Sequence, residues 1–270
     1  MRATTQFGII ALAFAAGTSA AQMYGSDQFG NLIQVNLGTG AGTLIGTETN
    51  YPLSTEIEYG QGQMFSEEVN GFINLHTVSL ANGLSTGFVT HNTFAAFNGM
   101  EFVGNTLYAA AITGSGGPST LITVNTATGV ETTVGLTGSG PITGLAYDTV
   151  NSIMYGVTGG GGVGTLLNIN LGNGVATPGP VITDASGQTL THIGALEFGA
   201  NGVLYGGVGL SGAVNPGWLF SVDPTTGIAT WIGPTGLPNF GGYTGLTLVP
   251  APGGVALLGV GGLVAARRRR

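Results

Sequence analysis

No cysteine and no lysine occur in this 270-residue sequence, and charged residues make up only 6% of it, against roughly 25% in an ordinary soluble domain. The missing cysteines exclude a disulfide scaffold and thiolate metal sites, and leave the redox compartment open. Arginine is confined to the ends, at Arg2 and at Arg267 to Arg270. Residues 22–249 therefore carry no cationic side chain except three histidines, yet they hold all 12 carboxylates. A nucleic-acid backbone needs Lys or Arg opposite its phosphates, so nucleic acid is excluded as a partner. A conventional network of surface salt bridges is excluded by the same absence.

What is abundant is glycine, 52 residues of 270. There is no Gly-X-Y period, so the chain is not collagen-like. The 43% hydrophobic content gives enough apolar surface to build a core, which argues against disorder. A single all-β domain of this length is permitted.

Both ends read as addresses. Arg2 precedes an apolar run from Phe7 to Ala16 and the small residues Thr18 to Ala21. That order is a signal peptide over residues 1–21, cut by signal peptidase after Ala20 or Ala21. At the other end Pro250, Ala251 and Pro252 precede an apolar run from Gly254 to Ala266 and the block Arg267, Arg268, Arg269, Arg270. The run of about 13 residues is shorter than the roughly 20 of a full membrane span. The arginines favour the cytoplasmic side, which leaves the body outside.

This tail, residues 250–270, resembles the PEP-CTERM sorting signal in its Pro-x-Pro motif, short hydrophobic stretch and terminal arginine cluster. Ala251 stands where that family has a central Glu. The resemblance implies transient anchoring of the tail in the inner membrane and its removal by an exosortase-type enzyme. It also implies a secreted protein at the cell surface or in the extracellular matrix of a Gram-negative bacterium that builds extracellular polysaccharide.

Between the ends the chain repeats itself. Ile57-Glu58-Tyr59, Met100-Glu101-Phe102, Leu145-Ala146-Tyr147 and Leu196-Glu197-Phe198 start 43, 45 and 51 residues apart. Each is followed by a turn and an apolar–aromatic pair: Met64-Phe65, Leu107-Tyr108, Met154-Tyr155 and Leu204-Tyr205. A second block occurs five times, at 32–40, 75–83, 121–129, 166–174 and 219–227. It carries Asn36, Ser79, Asn125, Asn170 or Asp223, a glycine four residues later, and a threonine three beyond that. The polar residue can bond the turn backbone and the glycine can adopt positive φ, so the block predicts a β-hairpin.

Units of about 45 residues with four strands, A to D, predict a β-propeller of five blades. The mature chain would begin at strand B, near Met23-Tyr24-Gly25, and end on a lone strand A, Leu246-Thr247-Leu248, so the two ends complete one blade. An open β-solenoid or a sandwich is the alternative. The B–C and D–A loops are the longer ones and share a face, which is the expected binding face of a monomer.

The middle residue of strand A is Glu58, Glu101, Ala146, Glu197 and Thr247 in the five copies. Its neighbours are apolar and pack between blades, so it should point at the central axis. Three carboxylates with no Lys or Arg to neutralise them suit Ca2+, a hard ion that takes oxygen ligands, or else a water-filled channel. His192 lies ahead of Leu196 near the channel mouth and could serve Glu197 as a base. His91 is placed toward the same face, His76 takes an apolar strand C position and reads as structural, and Glu67 and Glu68 read as solvated loop carboxylates. Trp218 and Trp231 read as packing, with Trp218 able to stack on a sugar. Gly159-x-Gly161-x-x-Gly164 matches a dinucleotide fingerprint only in spacing, since a strand is expected to follow it where the fingerprint needs a helix. The expectation is a non-enzymatic binding or structural module, with extracellular polysaccharide or other surface proteins as partners. A metal-dependent propeller hydrolase or lyase is the alternative.

Overall fold

The computed structural model describes residues 20–48, 54–69, 73–91, 93–114, 117–159, 161–209 and 213–251. Residues 22–249 form one compact unit. Nearly all of the signal-peptide segment lies outside the described residues, as does the tail beyond Ala251, including Pro252 and the arginine block. Among the described residues no helix is long and apolar enough to cross a membrane.

Every regular element among the described residues is a strand, and the strands form five antiparallel sheets. Blade 1 joins the two ends of the unit: β1 (Gln22–Asp27), β2 (Asn31–Val35) and β3 (Gly42–Thr47) follow the inner strand β21 (Tyr243–Val249). Met23 pairs with Leu248 and Tyr24 with Thr247, which is the closure expected from the repeat. Blade 2 is β4 (Ser54–Gly60), β5 (Gln63–Val69), β6 (Ile73–Val78) and β7 (Ser85–His91). Blade 3 is β8 (Ala96–Val103), β9 (Thr106–Ile112), β10 (Thr120–Val124) and β11 (Glu131–Leu136). Blade 4 is β12 (Ile142–Asp148), β13 (Ile153–Thr158), β14 (Thr165–Ile169) and β15 (Ala176–Val181). Blade 5 is β17 (Ile193–Phe198), β18 (Leu204–Val208), β19 (Trp218–Val222) and β20 (Ile228–Pro234). The segment between β15 and β17, expected to be loop, also lays a short strand, β16 (Thr183–Asp184), parallel to β20.

The repeated hairpin block behaves as its chemistry requires. At all five turns the side-chain oxygen of Asn36, Ser79, Asn125, Asn170 or Asp223 accepts the N–H two residues on. The glycine N–H returns to the same residue's carbonyl at 2.8 Å each time. Gly40, Gly83, Gly129, Gly174 and Gly227 all have φ between 71° and 77°. They have a second reason to lack a side chain, because a Cβ would run into the outermost strand, or the residues closing it, of the preceding blade. It would lie 2.5 Å from the Thr90 carbonyl oxygen at Gly129, and 2.5 Å from that of Gly135 at Gly174.

The core lies between blades. Leu145 and Met154 of blade 4 pack with Ala110 and Leu121 of blade 3, and Leu196 and Leu204 of blade 5 with Val157 and Leu166 of blade 4. In blades 3 and 5 the aromatic residue after the inner-strand centre covers the previous blade: Phe102 lies over Gly60 and 5.8 Å from Phe65, and Phe198 lies 5.9 Å from Tyr155. This packing turns the intervening side chains toward the axis.

Candidate functional site

The inner strands β21, β4, β8, β12 and β17 contact one another in a closed ring. Each is the inner edge of its sheet, so N–H groups on its axial side have no ladder partner and need another acceptor. The central residue of the preceding strand supplies one. Tyr59 N donates to Thr247 Oγ1 at 2.9 Å, and Phe102 N donates to Glu58 Oε1 at 3.2 Å. Tyr147 N faces Glu101 and Leu248 N faces Glu197, each lowering the carboxyl's pKa against the effect of burial. Blade 4 breaks the series because Ala146 has no acceptor, and there Phe198 N bonds the carboxylate of its own neighbour Glu197.

This ring brings together the three carboxylates expected on the axis. Glu58, Glu101 and Glu197 are buried, and one oxygen from each lies within 4.8 Å of the other two. Capping an N–H uses only one oxygen of a carboxylate. Glu58 Oε2 and Glu101 Oε2 are buried with no hydrogen-bond partner. Two ionised carboxylates at such a distance repel by about 3.5 kcal/mol at an effective dielectric of about 20. Burial accordingly pushes Glu58 up to about 8. Burial first, then the charges of Glu197 and Glu58, raises Glu101 well above the usual carboxylate range, and burial followed by the Glu58 charge does the same to Glu197.

Glu56 is a fourth carboxylate at this centre that the repeat comparison missed. It sits two residues before Glu58 on the same strand face and is also buried. Burial raises it too, with smaller contributions from the charges of Glu58, Glu197 and Glu67. The equivalent positions hold Gly245, Gly99, Gly144 and Ala195. That smallness makes room: a Cβ on Gly245 would lie 2.5 Å from Glu56 Oε1. The period-2 pair Glu56 and Glu58 was the available signal.

His192 does not join this group. It precedes β17, and Ile193 to Glu197 alone spans about 13 Å of strand; its Nδ1 lies 3.0 Å from Thr191 Oγ1. The other two histidines are buried in the seams of blade 2. Glu67 and Glu68, expected to be solvated in a loop, instead lie in β5 and are buried. The strand runs four residues further than its apolar pair suggested, and each carboxylate has partners inside. Glu67 accepts the Phe97 N–H at 2.7 Å and lies 3.6 Å from His91 Nε2; His91 Nδ1 is 2.9 Å from Glu131 Oε1. This sandwich joins blades 2 and 3, with His91 stacked on Phe97 at 4.1 Å. Burial lowers His91 against the opposing pull of Glu131. Glu68 Oε2 lies 2.9 Å from His76 Nε2, so the structural reading of His76 stands. Trp218 meets Trp231 edge-on at 5.9 Å, a packing contact.

The B–C/D–A loop face carries an open cleft of about 490 Å3, lined by Phe29, Asn31, Thr47, Pro238, Asn239 and Phe240. Its two walls are the B–C turn of blade 1 and the loop that leads into β21. Asp27, fully buried, ties them together. Its carboxylate accepts from Phe29 N, Asn31 N and Asn31 Nδ2 on one wall and Gly241 N on the other, at 2.8 to 3.0 Å. Asn31 Nδ2 also reaches the Asn239 carbonyl at 3.2 Å.

No protein-family model and no curated protein matches the sequence. Solved structures do resemble the fold. One chain of a nidogen/laminin complex superimposes with a TM-score of 0.52 at 12% identity, over 85% of this chain and 98% of that one. A protein of unknown function from Bacteroides caccae aligns with a TM-score of 0.44 at 10% identity, over 76% of this chain and 69% of that one. At such identities the first likeness speaks to the propeller fold alone.

Proposed function

We propose that this protein is an exported, non-enzymatic propeller that binds neutral polysaccharide through the cleft between Phe29 and Phe240. The cleft is the observation behind this reading. Its volume lies within the roughly 300–1,000 Å3 range of small-molecule sites. Its walls offer what a neutral sugar needs: Phe29, half exposed, as an apolar face, and the exposed Asn239 amide with the Thr47 hydroxyl oxygen, held in place by its bond to Asn31, as hydrogen-bonding groups. Among the described residues no charged side chain lines it. The buried Asp27 clamp sets the walls before a ligand arrives, which lowers the ordering cost of binding.

The signal-peptide order at residues 1–21 and the PEP-CTERM-like tail support export and exosortase-type sorting to a surface rich in polysaccharide. Affinity electrophoresis of the secreted protein through gels containing neutral or acidic polysaccharides tests the binding. Retardation by neutral polysaccharide, lost in Phe29→Ala and Asn239→Ala, is expected. Equal mobility of wild type and both variants in every gel would sink the reading.

A further inference from the structure

We propose that Glu58, Glu101 and Glu197 hold one hard divalent cation of the calcium class on the propeller axis, pinning blades 2, 3 and 5 at the centre of the ring. Geometry supplies the first support. Three oxygens within 4.8 Å of one another always leave a point no more than about 2.8 Å from each. Small side-chain rotations bring that distance into the roughly 2.3–2.6 Å of calcium–oxygen bonds. An all-oxygen donor set suits a hard ion, and carboxylates from three separate strands suit calcium, whose coordination is flexible, better than magnesium, which demands near-ideal octahedral geometry.

The unpartnered oxygens supply the second, independent support. If these side chains served only to cap the next strand's N–H, a hydroxyl would suffice, and Thr247 does that task in blade 1. The glutamates each bring an extra oxygen, and those of Glu58 and Glu101 end buried with nothing to bond. A buried acceptor left in that state is costly. No Lys or Arg exists in residues 22–249 to answer it, and His76 and His91 are committed to Glu68, Glu67 and Glu131. A cation from solvent bonds those oxygens without disturbing the capping hydrogen bonds.

The test uses the secreted protein stripped with a chelator and returned to calcium at pH 7.5. Equilibrium dialysis should find one calcium per chain, and the melting temperature should climb with calcium and saturate. Terbium should bind the same place and show luminescence sensitised by Tyr59, which follows Glu58 in sequence. Glu101→Gln and Glu197→Gln retain an amide oxygen for the capping bonds but should lose at least tenfold in affinity, while Asp184→Asn, in β16 at the start of a surface turn, should bind as wild type does. Should a Gln variant fail to fold, stoichiometry and terbium luminescence of the wild type still decide. Less than a tenth of an equivalent bound with a flat melting temperature, or binding unchanged in both Gln variants, would overturn the proposal.

Discussion

Glycine is the residue on which this fold leans hardest, and two positions separate its two uses. Gly62 has φ of 79° and open space around its missing Cβ, so Gly62→Ala meets backbone strain alone. A loss of about 1–2 kcal/mol is expected. Gly174 has φ of 76° and also lies against the backbone of Gly135, where a Cβ would sit 2.5 Å from the carbonyl oxygen. Gly174→Ala should therefore cost about 1–3 kcal/mol more, from overpacking. Urea denaturation of the two variants checks this; equal losses would contradict the inter-blade contact. The strained-turn role was legible in the sequence, because the glycine recurs four residues after an Asn, Ser or Asp. The contact role was not, since the residues it meets belong to the preceding blade and follow no local pattern.

At the scale of the element, the inner strand is where sequence and structure agree most closely. The apolar–x–aromatic pattern marked the flanking residues as inter-blade packing and the middle residue as axial, and the strands place Glu58, Glu101 and Glu197 accordingly. The N–H capping around the ring was hidden, because it links each residue to the next blade's backbone, which carries no residue signature. It yields a direct test at Thr247. Thr247→Val keeps the shape but removes the acceptor for Tyr59 N. A loss of about 1–3 kcal/mol in urea denaturation is expected, the penalty for a buried N–H left unmet. Thr247→Ser should restore most of it, and a Val variant as stable as the Ser variant would remove the capping role. The error at Glu67 and Glu68 belongs to this scale too. Two adjacent carboxylates look solvated in sequence, and only the approach of His91, His76 and the Phe97 backbone makes their burial tolerable.

Across the whole molecule, the missing Lys and Arg take on a different meaning. Seven of the eight glutamates are buried, while the side chains of Asp148, Asp184 and Asp223 accept N–H groups of exposed turns. The carboxyl groups of an acidic protein would ordinarily face water; here most of the glutamates are directed inward, toward the axis and the seams of blade 2. A pH dependence follows for the metal-free protein. An unfolded glutamate releases its proton near 4.5, whereas Glu58 in the folded chain keeps its proton up to about 8. Below 4.5 both states are protonated and the full stability is present. Between 4.5 and 8 only the unfolded chain ionises, so each such group removes about 1.4 kcal/mol per pH unit, and above 8 the loss is complete. Glu56, Glu67, Glu101 and Glu197 are shifted in the same direction. His91 opposes them below about 6.5, as one group against five. Chelated protein should thus unfold more easily in urea at pH 8 than at pH 5, and saturating calcium should flatten the difference. Stability that rises from pH 5 to 8 in chelator would contradict the buried-carboxylate account.

The most direct measurement is a crystal structure at neutral pH of protein soaked in a lanthanide, read by anomalous scattering. A single peak is expected on the ring axis, bonded to one oxygen each of Glu58, Glu101 and Glu197. The contradicting result is an axis without a peak, in which those oxygens instead approach one another at about 2.5–2.7 Å, the spacing of carboxyl groups sharing protons.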